Sequence, residues 1–247
     1  MIERLDARGL PTRVIPRFDW DDRSSWAPAL HDVEAIYLGY PAHAVDAVGP
    51  FAALAVALGV RRIVLLSPRG DPGALPAEQG LRASGADWTI VRASLLDQTF
   101  SEGCLAKPVR VGEVALPARR VGEPFVDAGD VADVVVAALL GDGVGCRVYE
   151  ATGPRLLTFA EAVEELAAAT GREIRYAQVT PRRYCALLAE QDVPEDVVAR
   201  LMRVFEELLD GRNAHVSPGV ERAIGREPRD FADYARDAAS SGAWDET

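Results

Sequence analysis

The chain has 247 residues, 49% of them hydrophobic and 26% charged, which excludes a disordered protein and predicts one large folded domain, alone or with a small appendage. Its formal net charge of −11 argues against nucleic acid as a partner, because most of the surface would repel a polyanion. The three cysteines lie far apart without a Cys-x-x-Cys pair, and the sequence shows neither a signal peptide nor a long apolar run. These features predict a cytoplasmic protein that binds no metal and no membrane.

The first half of the chain alternates strand-like and helix-like segments. Residues 2–8 have the character of a helix tail that ends at Gly9. Four strands are predicted, at 12–15, 33–38, 62–66 and 88–91, and two helices between them, at 48–58 and 75–84. Short connections between alternating strands and helices predict parallel pairing with right-handed crossovers.

The second half is richer in helices. Short strands are predicted at 113–116, 124–126, 147–150 and 174–179. Helices are predicted at 130–140, from a capping box at Thr158 to Gly171, from Pro181, from Pro194 onward, at 218–224 and at 228–240. We predict a truncated Rossmann-like α/β domain over 1–150, and a helical region over 151–247 that belongs to the same globular unit and forms a lid.

Several sequence blocks resemble the NmrA-like family, an atypical branch of the short-chain dehydrogenase/reductase superfamily. They are ADWTIVR (86–92), EPFVD (123–127), ATGPRLLTF (151–159) and GREPRDFADY (225–234). The resemblance covers nearly the whole chain and implies a Rossmann-like parallel sheet. It implies function less closely, because the family includes NAD(P)-dependent reductases, cofactor-sensing regulators and non-redox proteins.

The chain departs from the family pattern at two places that concern chemistry. The family's opening strand and its Gly-x-x-Gly-x-x-Gly turn, which cradles a diphosphate with backbone amides, are not found before residue 12. The superfamily's Tyr-x-x-x-Lys pair has no counterpart, because residues 71–81 contain neither Tyr nor Lys, and Ala74 stands where many relatives place a lysine.

The absence of the family's opening strand also affects the predicted sheet. We place it between the strands at 12–15 and 33–38, where its loss would leave buried backbone groups unpaired. Three outcomes remain open: the two neighbours pair directly, another segment such as one from a second chain fills the gap, or the N-terminus is truncated.

Candidate site residues follow from the rule that ligands of open α/β sheets bind at the carboxyl ends of the strands. Ser67 matches the superfamily's serine that orients a carbonyl, Arg69 offers a planar fork for an anionic oxygen, and Tyr40 offers a hydroxyl. Asp97, in a turn beside apolar side chains, is a candidate general acid or base. The predicted substrate contacts are Tyr37, Gln98, Thr99, Phe100 and Trp88, and Arg17 and Asp19 would contact a retained cofactor.

Without the diphosphate cradle, we predict an enzyme that uses no cofactor. It would catalyse a non-redox step, such as cyclisation, dehydration, isomerisation or rearrangement, on a small organic substrate in the vacated cleft. Two alternatives stay open: an NAD(P)H-dependent reductase of quinone-type acceptors, with NADP as its cofactor, and a non-catalytic sensor. A homodimer is also predicted, as one source of the substitute strand.

Overall fold

The computed structural model describes residues 1–15, 18–141 and 146–245. The strands over these residues are β1 (Ala35–Leu38), β2 (Arg62–Pro68), β3 (Asp87–Ala93), β4 (Glu113–Leu116), β5 (Arg147–Ala151) and β6 (Arg175–Gln178). The helices are α1 (Ile2–Asp6), α2 (Trp26–Ala29), α3 (Val48–Ala57), α4 (Leu75–Ala83), α5 (Ala106–Val111), α6 (Ala128–Leu140), α7 (Phe159–Thr170), α8 (Pro181–Ala189), α9 (Glu195–Arg203), α10 (Gly219–Ile224) and α11 (Phe231–Ser240). None of the helices within the described ranges is both long enough and apolar enough to cross a bilayer.

A four-stranded parallel sheet with the order β1-β2-β3-β5 carries the first half of the fold. Its register places Leu38 beside Leu65, Leu65 beside Ile90 and Ile90 beside Val148, so one row of apolar side chains crosses all four strands. Such rows are typical of parallel strands whose faces are covered by helices. The predicted α/β class with a Rossmann-like parallel sheet is confirmed.

The residues group into two compact units, and each unit is built from three stretches of chain. Unit 1 comprises Met1–Ala93, Gly129–Ala151 and Pro218–Arg226, and contains the four-stranded sheet. Unit 2 comprises Ser94–Ala128, Thr152–Ser217 and Glu227–Thr247. The chain therefore passes between the units several times, which differs from the predicted single division at residue 150.

The core of unit 1 lies between the sheet and helices α3 and α4, and includes Trp26, Phe51 and Ile63. The two helices touch at Gly49 and Gly80, where a Cβ on Gly80 would lie 2.8 Å from the Cα of Gly49. Only glycine allows this approach, which brings α4 close to α3 on the same face of the sheet.

Unit 2 has its own core and its own small sheet, in which β4 and β6 pair in parallel. Four phenylalanines pack edge-on or tilted against one another at the centre of this core: Phe100, Phe125, Phe159 and Phe231. Trp244 closes the core with an indole hydrogen bond to the carbonyl oxygen of Phe100 at 2.8 Å.

Two predicted strands are wrong. Residues 12–15 form no strand, because the guanidinium of Arg13 ties the segment to the carbonyls of Ala29 and His31, and Val14 is 57% exposed. Direct pairing of this segment with β1 is therefore wrong as well. Residues 124–126 form only an isolated bridge, between Val126 and Leu96.

The long helix predicted from Pro194 is interrupted. Helix α9 ends at Arg203, and a π-helical turn follows at Val204–Leu208. Two apolar side chains of this region contact the core of unit 2: Phe205 lies in that core and Leu201 packs against it. The prediction of a helix from Pro194 is thus correct as far as Arg203, and the chain continues from there in a wider π-helical turn.

Candidate functional site

Five polar side chains gather near the carboxyl ends of β2, β3 and β5 in unit 1. We call them the strand-end cluster: Ser67, Arg69, Glu78, Arg92 and Glu150. The sheet register places Ser67 beside Arg92 and Arg92 beside Glu150, so these three share one face of the sheet. Glu78 reaches the same place from helix α4.

Glu78 is the centre of the cluster, with 2% of its surface exposed. Its Oε1 accepts hydrogen bonds from Ser67 Oγ at 2.8 Å and from Arg92 Nε at 2.8 Å, and its Oε2 accepts from Arg92 Nη2 at 2.5 Å. Arg82, one turn later on α4, donates to Oε2 at 3.2 Å. Burial alone would raise the pKa of Glu78, but the hydrogen bonds from Arg92 and Ser67 and the charges of Arg92 and Arg82 outweigh it and lower the pKa.

Arg69 is almost fully buried, with 2% of its side chain exposed. Its Nε donates to Oε2 of Glu150 at 3.2 Å, and its backbone N–H donates to the carbonyl of Ala93 at 2.9 Å. The guanidinium fork that the sequence suggests for an anionic substrate oxygen is thus at least partly occupied by Glu150. Its role toward a substrate stays a prediction.

Ser67 is 0% exposed, and its hydroxyl proton points to Glu78. The structure places this side chain on the face covered by α4, in the same row as the core residues Ile63 and Leu65. This geometry suits a serine that fixes Glu78. A direct contact between Ser67 and a substrate carbonyl stays a prediction.

The carboxyl end of β1 is more open. A Cβ built on Gly39 would meet no atom within 4 Å, so the backbone directly after β1 faces free space. Tyr40, the next residue, is half-buried. Tyr37, within β1, is also half-buried, and burial raises its pKa. Two phenol groups therefore flank an accessible stretch of backbone.

Trp88 is not brought together with the strand ends. It is the second residue of β3, paired with Ile63, and therefore lies about 13 Å along the strand from Arg92 at about 3.3 Å per residue. Its ring packs against the core of unit 1 and carries the Arg82 guanidinium 5.4 Å from the ring centre. This environment is that of a core residue capped by a cation.

In unit 2, the predicted turn Asp97–Phe100 forms a 3-10 turn. Asp97 is 0% exposed, and its backbone N–H donates to the carbonyl of Val126 at 3.0 Å. Its negative charge, together with the stronger effect of burial, contributes to a raised pKa of Tyr234. The turn thus holds a buried carboxyl group close to a buried phenol, and the acid or base role of Asp97 stays a prediction.

The other members of this turn make structural contacts. The amide of Gln98 accepts from the backbone N–H of Ala128 at 2.8 Å and donates to Asp127 at 3.2 Å, so it caps the start of α6. Thr99 accepts a backbone hydrogen bond from Leu105 at 3.1 Å. Phe100 is 0% exposed in the core of unit 2.

The two residues predicted to contact a retained cofactor give different results. Arg17 lies outside the described residues. Asp19 is exposed, and its carboxylate accepts from the backbone N–H groups of Asp21 and Asp22 at 2.9 and 3.2 Å. It therefore stabilises a local turn.

Sequence reasoning missed Glu78 and Glu150, which organise the strand-end cluster. A signal for Glu78 was present, because it stands beside Ala77 and near Leu81 on the buried face of α4, where a carboxylate requires a partner. Nothing in the local sequence marks Glu150, because its partners come from strands far away in the chain.

A separate open cavity of about 300 Å³ lies in unit 2. Its lining is predominantly acidic and comprises Arg155, Leu157, Glu161, Glu164 and Glu165. Arg155 is engaged there by Asp230 and Glu165 at 2.7 and 2.8 Å, which accounts for its position without a ligand. None of the predicted site residues lines this cavity.

Comparison with known proteins gives the family of the chain and the reactions of its relatives. No protein-family model matches the chain. A (4-alkanoyl-5-oxo-2,5-dihydrofuran-3-yl)methyl phosphate reductase of Streptomyces griseus is 31% identical, over 97% of this chain and 87% of the relative. An NAD(P)H azoreductase of Xenophilus azovorans is 28% identical, over 97% of this chain and 86% of the relative.

These relatives are reductases, and they overturn the functional prediction from the sequence. The prediction of a cofactor-independent enzyme is wrong, and so is the prediction of a non-redox cyclase, isomerase or lyase. The prediction rested on one feature, the diphosphate cradle, whereas the similarity to reductases extends over 97% of the chain.

Solved structures agree with the fold. The NADPH-dependent quinone oxidoreductase QOR2 of Escherichia coli, in complex with NADPH, superposes with a TM-score of 0.79 at 20% identity, over 96% of this chain and 86% of that one. Triphenylmethane reductase of Citrobacter sp. gives 0.78 at 16% identity, over 96% and 86%. The negative transcriptional regulator NmrA, in complex with NADP, gives 0.67 at 15% identity, over 96% and 84%. With a relative that is 31% identical over 97% of the chain and with this set of folds, the chain belongs to the NmrA-like branch of the atypical short-chain dehydrogenases/reductases.

Proposed function

We propose that the protein is an NAD(P)H-dependent reductase of a small organic acceptor of the quinone type. The observation that carries the proposal is the 31% identity, over 97% of the chain, to a curated reductase. The azoreductase that is 28% identical supports the same reaction class and names NAD(P)H as the reductant.

The carboxyl end of β1 is the place where a nicotinamide dinucleotide would bind. The backbone at Gly39 is accessible there, and this edge is where ligands of such sheets bind. The segment before β1 contains one glycine, Gly9, which lies in the turn after helix α1 with a φ of 68°. The described residues thus offer an accessible strand end for part of the cofactor, and they include no glycine-rich cradle for the diphosphate.

The protein's own contribution to the reaction would be to position the acceptor and to deliver a proton. A bound NAD(P)H supplies a hydride. The phenol of Tyr40, which follows the open backbone of Gly39, is our candidate for donating a proton from Oη to the acceptor oxygen. The buried strand-end cluster would hold the neighbouring strands β2, β3 and β5 in place through Glu78 and Glu150.

The test is a titration with NADPH and NADH followed by turnover with p-benzoquinone. We expect saturable binding of at least one cofactor and oxidation of that cofactor only when the quinone is present. Tyr40→Phe should lower kcat about 100-fold, the typical effect of losing a general acid. Tyr176→Phe, which removes a phenol that donates to the carbonyl of Ala118 in unit 2, is the matched control and should retain full activity. Failure of both cofactors to bind at millimolar concentration would contradict the proposal.

A further inference from the structure

The strand-end cluster contains two arginines, Arg69 and Arg92, and two carboxylates, Glu78 and Glu150. Its guanidinium groups lie near the carboxyl ends of a parallel sheet, which is the edge where ligands of such sheets bind. We therefore ask which of the two arginines could contact a ligand.

Arg92 is the member of the cluster whose geometry suits a ligand contact. Its Nε and Nη2 are held by the two oxygens of Glu78, which fixes the plane of the guanidinium. Its Nη1 lies 4.0 Å from Oε1 of Glu150, within reach of an ion pair but beyond hydrogen-bond distance. The side chain remains 26% exposed, whereas those of Arg69 and Glu78 are each 2% exposed.

We propose that Arg92 binds an anionic oxygen, from a carboxylate or a phosphate group, of the ligand at the strand ends. Its Nη1 donates the hydrogen bond, and Glu78 is the positioning residue that orients it. The location of the ligand rests on the proposed function, whereas the preference for an anion rests on the geometry of the cluster. A guanidinium fixed by a bidentate carboxylate loses little conformational freedom on binding, which favours its use in recognition.

Arg82 provides a matched control. Like Arg92, it donates to Glu78, but it does so from helix α4, and its guanidinium lies 5.4 Å from the centre of the Trp88 ring. If Arg92 mattered only as a partner of Glu78, replacing either arginine would have a similar effect. If Arg92 binds an anion, only its replacement should change anion affinity.

The experiment is a calorimetric titration with inorganic phosphate at constant ionic strength, on the wild-type protein, Arg92→Gln and Arg82→Gln. We expect Arg92→Gln to weaken phosphate binding at least about tenfold, the least that a hydrogen bond between charged groups contributes. Arg82→Gln should change the phosphate affinity by no more than about twofold, which is the size of effect expected from an exposed charge pair. Equal affinities of both variants, or no phosphate binding by the wild-type protein, would overturn the proposal.

A second measurement needs no variant and covers the case in which Arg92→Gln does not fold. Phenylglyoxal modifies accessible arginines, and peptide mass spectrometry locates the modified positions. Phosphate should protect Arg92 in the wild-type protein and leave Arg82 unprotected, whereas equal modification of Arg92 with and without phosphate would overturn the proposal. Both readouts measure binding alone, so a protein that binds phosphate and does not oxidise NADPH would contradict the proposed function and leave this inference standing.

Two further measurements distinguish a cofactor anion from an acceptor anion. If the anion belongs to the cofactor, Arg92→Gln weakens NADPH binding by the same factor as phosphate binding. If it belongs to the acceptor, NADPH binding is unchanged, and KM rises for a carboxylated quinone but not for p-benzoquinone. Either pattern supports an anion contact at Arg92.

Discussion

Replacing Glu78 with Gln should destabilise the protein by about 2–3 kcal/mol at neutral pH. Removing one partner of a buried ion pair typically costs about 3–5 kcal/mol, because the remaining charge is left without compensation. Here the side chains of Arg92 and Arg82 are 26% and 34% exposed, so water compensates part of their charge and the lower value applies. The glutamine retains one carbonyl oxygen, which can still accept from Ser67.

The pH dependence gives this prediction its sharpest form. Because the folded-state pKa of Glu78 is lowered, its contribution is fully present above the ordinary carboxyl pKa and is lost as the pH falls through the folded value. The stability difference between the wild-type protein and Glu78→Gln should therefore be constant from pH 6 upward and shrink in acid.

Urea unfolding followed by circular dichroism at several pH values measures this difference. Glu164→Gln is the control, because Glu164 is an exposed residue of α7, and its replacement should change stability by less than about 0.5 kcal/mol. A stability difference between the wild-type protein and Glu78→Gln below about 1 kcal/mol would refute the reasoning. A difference that persists unchanged in acid would also refute it, because the contribution of Glu78 requires an ionised carboxylate.

Three further substitutions test the packing by urea unfolding. Thr158→Ala should cost about 1 kcal/mol by removing the capping box of α7, and Thr158→Ser should restore most of it; equal losses would contradict the capping role. Gly153→Ala should cost about 3 kcal/mol or more, because its Cβ would lie 1.9 Å from the backbone oxygen of Phe125. Its control, Gly39→Ala, should change stability by less than about 0.5 kcal/mol. Similar values for the two variants would show that a small shift of the backbone removes the clash at Gly153. Trp244→Phe should cost about 1–3 kcal/mol by leaving the buried carbonyl of Phe100 without its donor, and a neutral result would mean that water replaces the indole.

The sequence predicted those parts of the fold whose signal is local. The apolar runs of β1, β2 and β3 and the capping box of α7 were all recognised, because hydrophobic periodicity and cap residues depend on neighbours a few positions away. The strand predicted at 12–15 failed for the complementary reason. A strand requires a pairing partner, and the apolar character of Val14 and Ile15 does not supply one.

The candidate site could be predicted only in part. The rule that ligands bind at strand ends pointed to Ser67 and Arg69, and both do lie at the carboxyl end of β2. It could not show that Glu78 accepts the hydrogen bond of the Ser67 hydroxyl or that Glu150 accepts one from Arg69, because these partners are 11 and 81 residues away. The first contact depends on how α4 packs on the sheet and the second on the order of β2, β3 and β5, and no local pattern contains either.

The wrong prediction about the cofactor has a similar physical origin. It assigned the affinity for a dinucleotide to one subsite, the amides around the diphosphate, because that subsite is recognisable as a motif. The rest of a dinucleotide would be bound by contacts that no motif marks, and an accessible position such as Gly39 is recognised only once β1 has its place in the sheet. Identity of 31% spread over 97% of the chain reports on all of these positions together, and it therefore carries more weight about the reaction class than a single loop.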